Sequence, residues 1–99
     1  MASINIAHLN NGITLSINGE FTFPINREFR ETYSAYPKSS HFFVDLNNAS
    51  YIDSAGLGML LRLKEFADKQ GTKVTLLCTN QEVLALLTTT RFDKLFTIE

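Results

Sequence analysis

The sequence predicts an α/β fold: a mixed β-sheet with an N-terminal antiparallel hairpin and a parallel βαβ unit, packed by about three helices. Three observations predict it. Apolar and polar residues alternate on both sides of Asn11-Gly12. A long stretch of helical periodicity, from about Ser54 to Gln70, lies between two short apolar runs, Phe42–Leu46 and Val74–Cys78. Capping and breaking residues stand at the ends of these segments, where helices and strands need them.

The elements follow in order. Ile4 and Ile6 alternate with polar neighbours, as do Ile13, Leu15 and Ile17. Asn11 and Gly12 both tolerate positive φ, so a tight turn there joins two antiparallel strands that end near Gly19. Pro24 suits the first turn of a helix, where its missing N–H costs nothing. Ile25, Phe29, Tyr33 and Tyr36 follow at near-helical spacing, and Pro37 ends the run. The continuous run Phe42-Phe43-Val44 with Leu46 reads as a strand covered on both faces. The amphipathic helix of Ser54–Gln70 comes next, with Gly71 as its stop. Val74–Cys78 is a second buried strand, which makes strand, helix and strand a right-handed βαβ crossover. Asn80 caps a short helix with Val83, Leu86 and Leu87 on its apolar side. Leu95–Ile98 is a last short strand, giving the order β-β-α-β-α-β-α-β.

Composition narrows the function. The 99 residues are enough for one core, so the chain is expected to be one complete domain over 1–99. A net charge of −1 supplies no basic excess for phosphate backbones, which argues against nucleic acid as a partner. No apolar run approaches the ~20 residues of a membrane span. The start Met-Ala-Ser-Ile-Asn has no basic and apolar leader pattern. Cys78 is the only cysteine, and a reducing cytoplasmic setting is the expectation. With His8 and His41 far apart, no metal-ligand spacing exists and no cofactor motif is present.

Local rules are broken only in Tyr51-Ile52-Asp53-Ser54-Ala55-Gly56-Leu57-Gly58-Met59-Leu60-Leu61. Two glycines inside the first turns of a helix each cost about 1 kcal/mol relative to alanine. Their presence points to a need for a small, bare surface. Ser54 stands where an N-cap belongs, and the helix mouth around it favours an anion. At 100° per residue, Met59, Leu60, Leu63, Phe66 and Ala67 fall on the core side, with Arg62, Glu65, Asp68 and Lys69 away from it. Ser54, Leu57, Gly58 and Leu61 fall on a separate strip, a hydroxyl and two leucines around a glycine gap. Such a strip fits a docking surface with a chemical switch at its edge.

Asp53-Ser54-Ala55-Gly56-Leu57-Gly58, after an apolar strand and before an amphipathic helix, resembles the signature of the STAS domain. More narrowly it resembles bacterial anti-sigma factor antagonists, over essentially the whole chain. The resemblance extends from the N-terminal hairpin to Thr90-Arg91-Phe92-Asp93-Lys94-Leu95-Phe96. It implies a non-enzymatic, cytoplasmic regulator of transcription that works by partner switching. The unphosphorylated form binds an anti-sigma factor with serine kinase activity and releases that protein's client. Phosphorylation at the position of Ser54 blocks binding, and a serine phosphatase restores it. Ala55 stands where the family often has a second hydroxyl. Gly19-Glu20-Phe21-Thr22 departs from the family's Gly-x-Leu/Phe-Asp, so Thr22 keeps a hydroxyl but lacks the charge. The expected partner surface is Asp53, Ser54, Ala55, Gly56, Leu57, Gly58, Leu61 and Thr22. The alternative from the same resemblance is a constitutive subunit of a membrane lipid-trafficking transporter, docked on its ATPase and never switched. Serine-hydrolase chemistry fails on residues: a nucleophile elbow wants glycine where Ile52 stands, and neither histidine has a triad context.

Overall fold

The computed structural model describes residues 2–36 and 41–99. The strands are β1 (Ser3–Leu9), β2 (Gly12–Phe21), β3 (His41–Asp45), β4 (Ala49–Ile52), β5 (Lys73–Leu77) and β6 (Thr97–Ile98). The helices are α1 (Asn26–Ser34), α2 (Ser54–Asp68) and α3 (Gln81–Thr89). Single 3-10 turns at Phe23–Ile25 and Phe92–Lys94 lead into α1 and β6. The sheet runs β1-β2-β3-β5-β6, with β1 antiparallel to β2 and the other pairings parallel.

β2 is the spine. Its first part pairs with β3 and its last part with β4. Between them the register slips at Gly19, which adopts φ 90° and takes up the bulge that only glycine enters cheaply. β4 was not expected from the sequence. Its burial pattern alternates poorly, and its extended state comes from pairing with β2 rather than from a local signal.

The hairpin turn lies one residue earlier than the dipeptide Asn11-Gly12 indicates. Leu9 pairs with Gly12, so Asn10 and Asn11 form the turn. Gly12 instead opens β2 at φ 153°, where a Cβ would stand 2.0 Å from the His41 carbonyl oxygen. Pro24 is the middle residue of a 3-10 turn, Phe23–Ile25, before α1 proper. Tyr36 lies past the helix, with its ring edge-on to His8 at 5.3 Å, and the stop assigned to Pro37 falls outside the described residues. β3 is covered on one face only: Phe42 and Val44 are buried, while His41, Phe43 and Asp45 are half-exposed. The core therefore fills the face shared by Ile13, Leu15, Ile17, Phe42, Val44 and Leu76, beneath α2 residues Leu60 and Leu63. An aromatic chain joins the helices to it, from Phe21 to Phe29 (5.1 Å), Tyr33 (5.4 Å) and Phe66 (5.2 Å).

α2 ends at Asp68, and Gly71 follows at φ 71°, the left-handed conformation of a helix stop. Asn80 caps α3 as expected, its side chain accepting from the N–H groups of Glu82 and Val83. Leu86 is only half-buried, so α3 rests on Val83 and Leu87. The final strand is reduced to Thr97–Ile98, because Leu95 belongs to the preceding turn and is exposed.

Candidate functional site

β2 and β4 end side by side, with Phe21 opposite Ile52. Their next residues, Thr22 and Asp53, therefore leave the sheet together at the mouth of α2. Asp53, not Ser54, is the N-cap. Its backbone is extended, and its carboxylate accepts a 2.8 Å hydrogen bond from the N–H of Gly56. The carbonyl of Asp53 accepts the first helical bond, 3.0 Å from the N–H of Leu57. Ser54 is the first residue of the helix and is exposed. With the cap supplied by its neighbour, the Ser54 hydroxyl is not needed to cap the helix. The N–H groups of Ser54 and Ala55 lie in the first turn, where no preceding helical carbonyl reaches them.

The two glycines of the motif separate. Gly56 is buried, and a Cβ there would stand 2.3 Å from the Phe21 carbonyl oxygen and 2.7 Å from Cγ1 of Ile52. It lets α2 press against the ends of β2 and β4. Gly56 is thus not a bare surface position, as the sequence suggests, but a buried glycine at the contact of α2 with the strand ends. Gly58 meets the expectation of open space, since a Cβ there has nothing within 4 Å. Leu61 is 38% exposed and Leu57 half-buried against the core edge, while Leu60 and Leu63 are fully buried.

Shallow grooves flank the helix mouth. One, of about 230 Å³, is lined by Phe23, Asn26, Ala55, Gly58, Met59 and Arg62. Another of about 230 Å³ runs between β4 and α3 past Tyr51, Ile52, Val83 and Leu86. Phe23 and Tyr51 are 67% and 56% exposed, and sequence reasoning did not single them out. Neither has a periodic apolar partner that would mark it, although an aromatic directly before Pro24 could have raised the question. Thr22 is half-buried at the end of β2. Cys78 is buried, and that burial pushes its thiol pKa up. Among the described residues no cluster of His, Cys, Asp and Glu could hold a metal, and no helix is long and apolar enough to cross a membrane.

The STAS domain family matches residues 3–99. The chain belongs to the STAS family. A STAS-domain containing protein of Pseudomonas aeruginosa is 36% identical over 87 residues, covering 87% of this chain and 86% of that protein. The intermembrane phospholipid transport system binding protein MlaB of Escherichia coli is 32% identical over 84 residues, covering 85% and 86%. The solved anti-sigma factor antagonist SpoIIAA, in its unphosphorylated form, superposes with a TM-score of 0.77 at 12% identity, covering 98% of this chain and 87% of that one. At that identity the likeness is one of fold. The STAS hairpin, parallel strands and helices correspond to the architecture described above.

Proposed function

We propose that this STAS domain is a phosphorylation-switched antagonist of an anti-sigma factor. It is a binding protein without catalytic chemistry of its own, and it acts in the cytoplasm. Unmodified, it docks a serine-kinase partner through Ser54, Ala55, Leu57, Gly58 and Leu61, with Phe23 and Tyr51 at the flanks and Thr22 and Asp53 at the rim. The partner releases its client as a result. The observation that carries this reading is the exposed Ser54 beside a cap supplied by Asp53. A hydroxyl not needed for the cap can be modified without unfolding the helix. Phosphate adds about −1.5 to −2 charge, and the first-turn N–H groups stabilise it within the domain. The same phosphate opposes docking, because binding would desolvate it against a partner shaped for a hydroxyl. A penalty of about 3–4 kcal/mol weakens binding several-hundred-fold. A serine phosphatase reverses the state.

The 32% identity to MlaB favours a second reading, in which the same surface is a permanent dock on the ATPase of a phospholipid transporter. Affinity capture from the native cell on wild type, Ser54→Ala and Ser54→Asp separates the two. The switch reading expects a kinase-like protein on wild type and Ser54→Ala, its loss on Ser54→Asp, and a phosphate mapped to Ser54. Recovery of a transporter ATPase with no phosphate at Ser54 sinks it in favour of the second.

A further inference from the structure

The two ends of the sheet are unequal. At one end β6 offers only Thr97–Ile98. At the other, β1 presents seven residues, Ser3–Leu9, which among the described residues are paired on one side only. An edge strand of this length is a template for a further strand, and proteins that must stay single blunt such edges with charges, prolines or bulges. β1 has none of these. Ser3–Leu9 contains no Lys, Arg, Asp, Glu or Pro, and its register against β2 is unbroken from Ser3↔Asn18 to Leu9↔Gly12. It also keeps apolar side chains in water: Ile6 is 37% exposed and Leu9 48%.

We propose that two copies of this chain pair through β1, antiparallel, across a two-fold axis at Ile6. Antiparallel pairing about a two-fold axis normal to the sheet sets one residue opposite its own copy. The axis that overlaps all of Ser3–Leu9 passes through its midpoint, Ile6. That register sets Ile4 opposite His8 of the second copy and Asn5 opposite Ala7, so no like charges of carboxylates or ammoniums meet. Ile4, Ile6 and His8 share a face, because they pair directly with Ile17, Leu15 and Ile13 of β2. Ile6 meets Ile6 on the side that carries the buried core residues of β2, and the core extends from one copy into the other. The assembly closes at two copies, since each copy's long edge is used up and the remaining edges are short, two residues at β6 and four at β4. The axis also reverses β2 between copies, so the two Ser54 sites lie at opposite ends and both stay accessible.

Sedimentation of the full chain from a few micromolar to about 1 mM tests the pairing. The expected result is a monomer–dimer transition that Ile6→Val preserves and that Ile6→Lys weakens by at least about 100-fold, because two ammonium groups would face each other at the axis. Ser54→Asp is expected to dimerise as wild type does, which separates this inference from the switch. Amide exchange on the wild type gives a readout that needs no variant: β1 amides gain protection as concentration rises, and the rest of the sheet does not change. A chain that stays monomeric at about 1 mM, a dimer with unprotected β1 amides, or growth into open-ended assemblies overturns the proposal.

Discussion

Gly56 and Gly58 stand two residues apart on α2 and have opposite surroundings. Two helical steps turn the backbone by about 200°, so neighbours at that spacing face opposite ways. Gly56 faces the Phe21 carbonyl and Ile52, with no room for a methyl group. Gly58 faces open space beside Phe23, Ala55 and Arg62. The same contrast runs on through Leu60, fully buried, and Leu61, 38% exposed. One helix therefore holds the fold with one side and offers a surface with the other. A residue type alone does not reveal its role there; its angular position does.

The contrast can be broken by substitution, with the largest effect expected at the glycines. Gly56→Val should cost about 3 kcal/mol or more in a urea melt, because the obstacle is a backbone carbonyl that cannot retreat. Gly58→Val should stay within about 1 kcal/mol of wild type. Equal losses at the two positions would mean that Gly58 is also a packing residue. Next come the leucines. Leu60→Ala should cost about 2–5 kcal/mol through a cavity, and Leu61→Ala less than about 1 kcal/mol, measured by the same melts. Smaller still is the pair at the helix mouth. Asp53→Ala should lose about 0.5–2 kcal/mol with its cap, whereas Ser54→Ala should remain within about 0.5 kcal/mol. A larger loss at Ser54 than at Asp53 would reverse the assignment of the cap.

The smallest effect lies at the other end of α2, where His41, Lys64, Asp68, Lys73, Thr75 and Glu99 line a cleft of about 370 Å³. His41 Nε2 and Thr75 Oγ1 share a 2.7 Å hydrogen bond. Burial and then the Lys73 ammonium hold His41 below its ordinary value of 6.5, against an opposite pull from Glu99. The folded state thus resists protonation that the unfolded chain accepts. Stability from this group is complete above pH 6.5 and falls as pH drops from there through the lower folded value. Melts across that window should show a shallow decline that His41→Asn removes, while the glycine and leucine contrasts keep their order.

Much of this was readable from local pattern. Ile13, Leu15 and Ile17 alternate as a half-buried strand must, and Met59, Leu60, Leu63 and Ala67 repeat as a core-facing helix must. Asn80 is followed by a helix it can cap, and it does cap one. What escaped depends on distant residues. Gly56 is glycine because of Phe21, 35 positions away, and no window along the chain contains both. β4 is a strand because β2 is long enough to pair with it after β3 has ended. Asp53 and Ser54 are both good caps, adjacent in sequence. The choice between them was made by where the backbone turns helical. The angular placement of Ser54, Leu57, Gly58 and Leu61 needs only the helical repeat, whereas the exposure of Phe23 and Tyr51 is set by a 3-10 turn and by the pairing of β4 with β2.

Asn80 joins two elements with a single amide. Its Oδ1 accepts from the N–H groups of Glu82 and Val83, and its Nδ2 donates to the Ala49 carbonyl at 3.0 Å. An Asn80→Asp substitution would leave the acceptor for α3 intact and set an anionic oxygen against the Ala49 carbonyl. The helix would keep its cap and lose its tie to β4, on a sheet whose own ladder is unchanged.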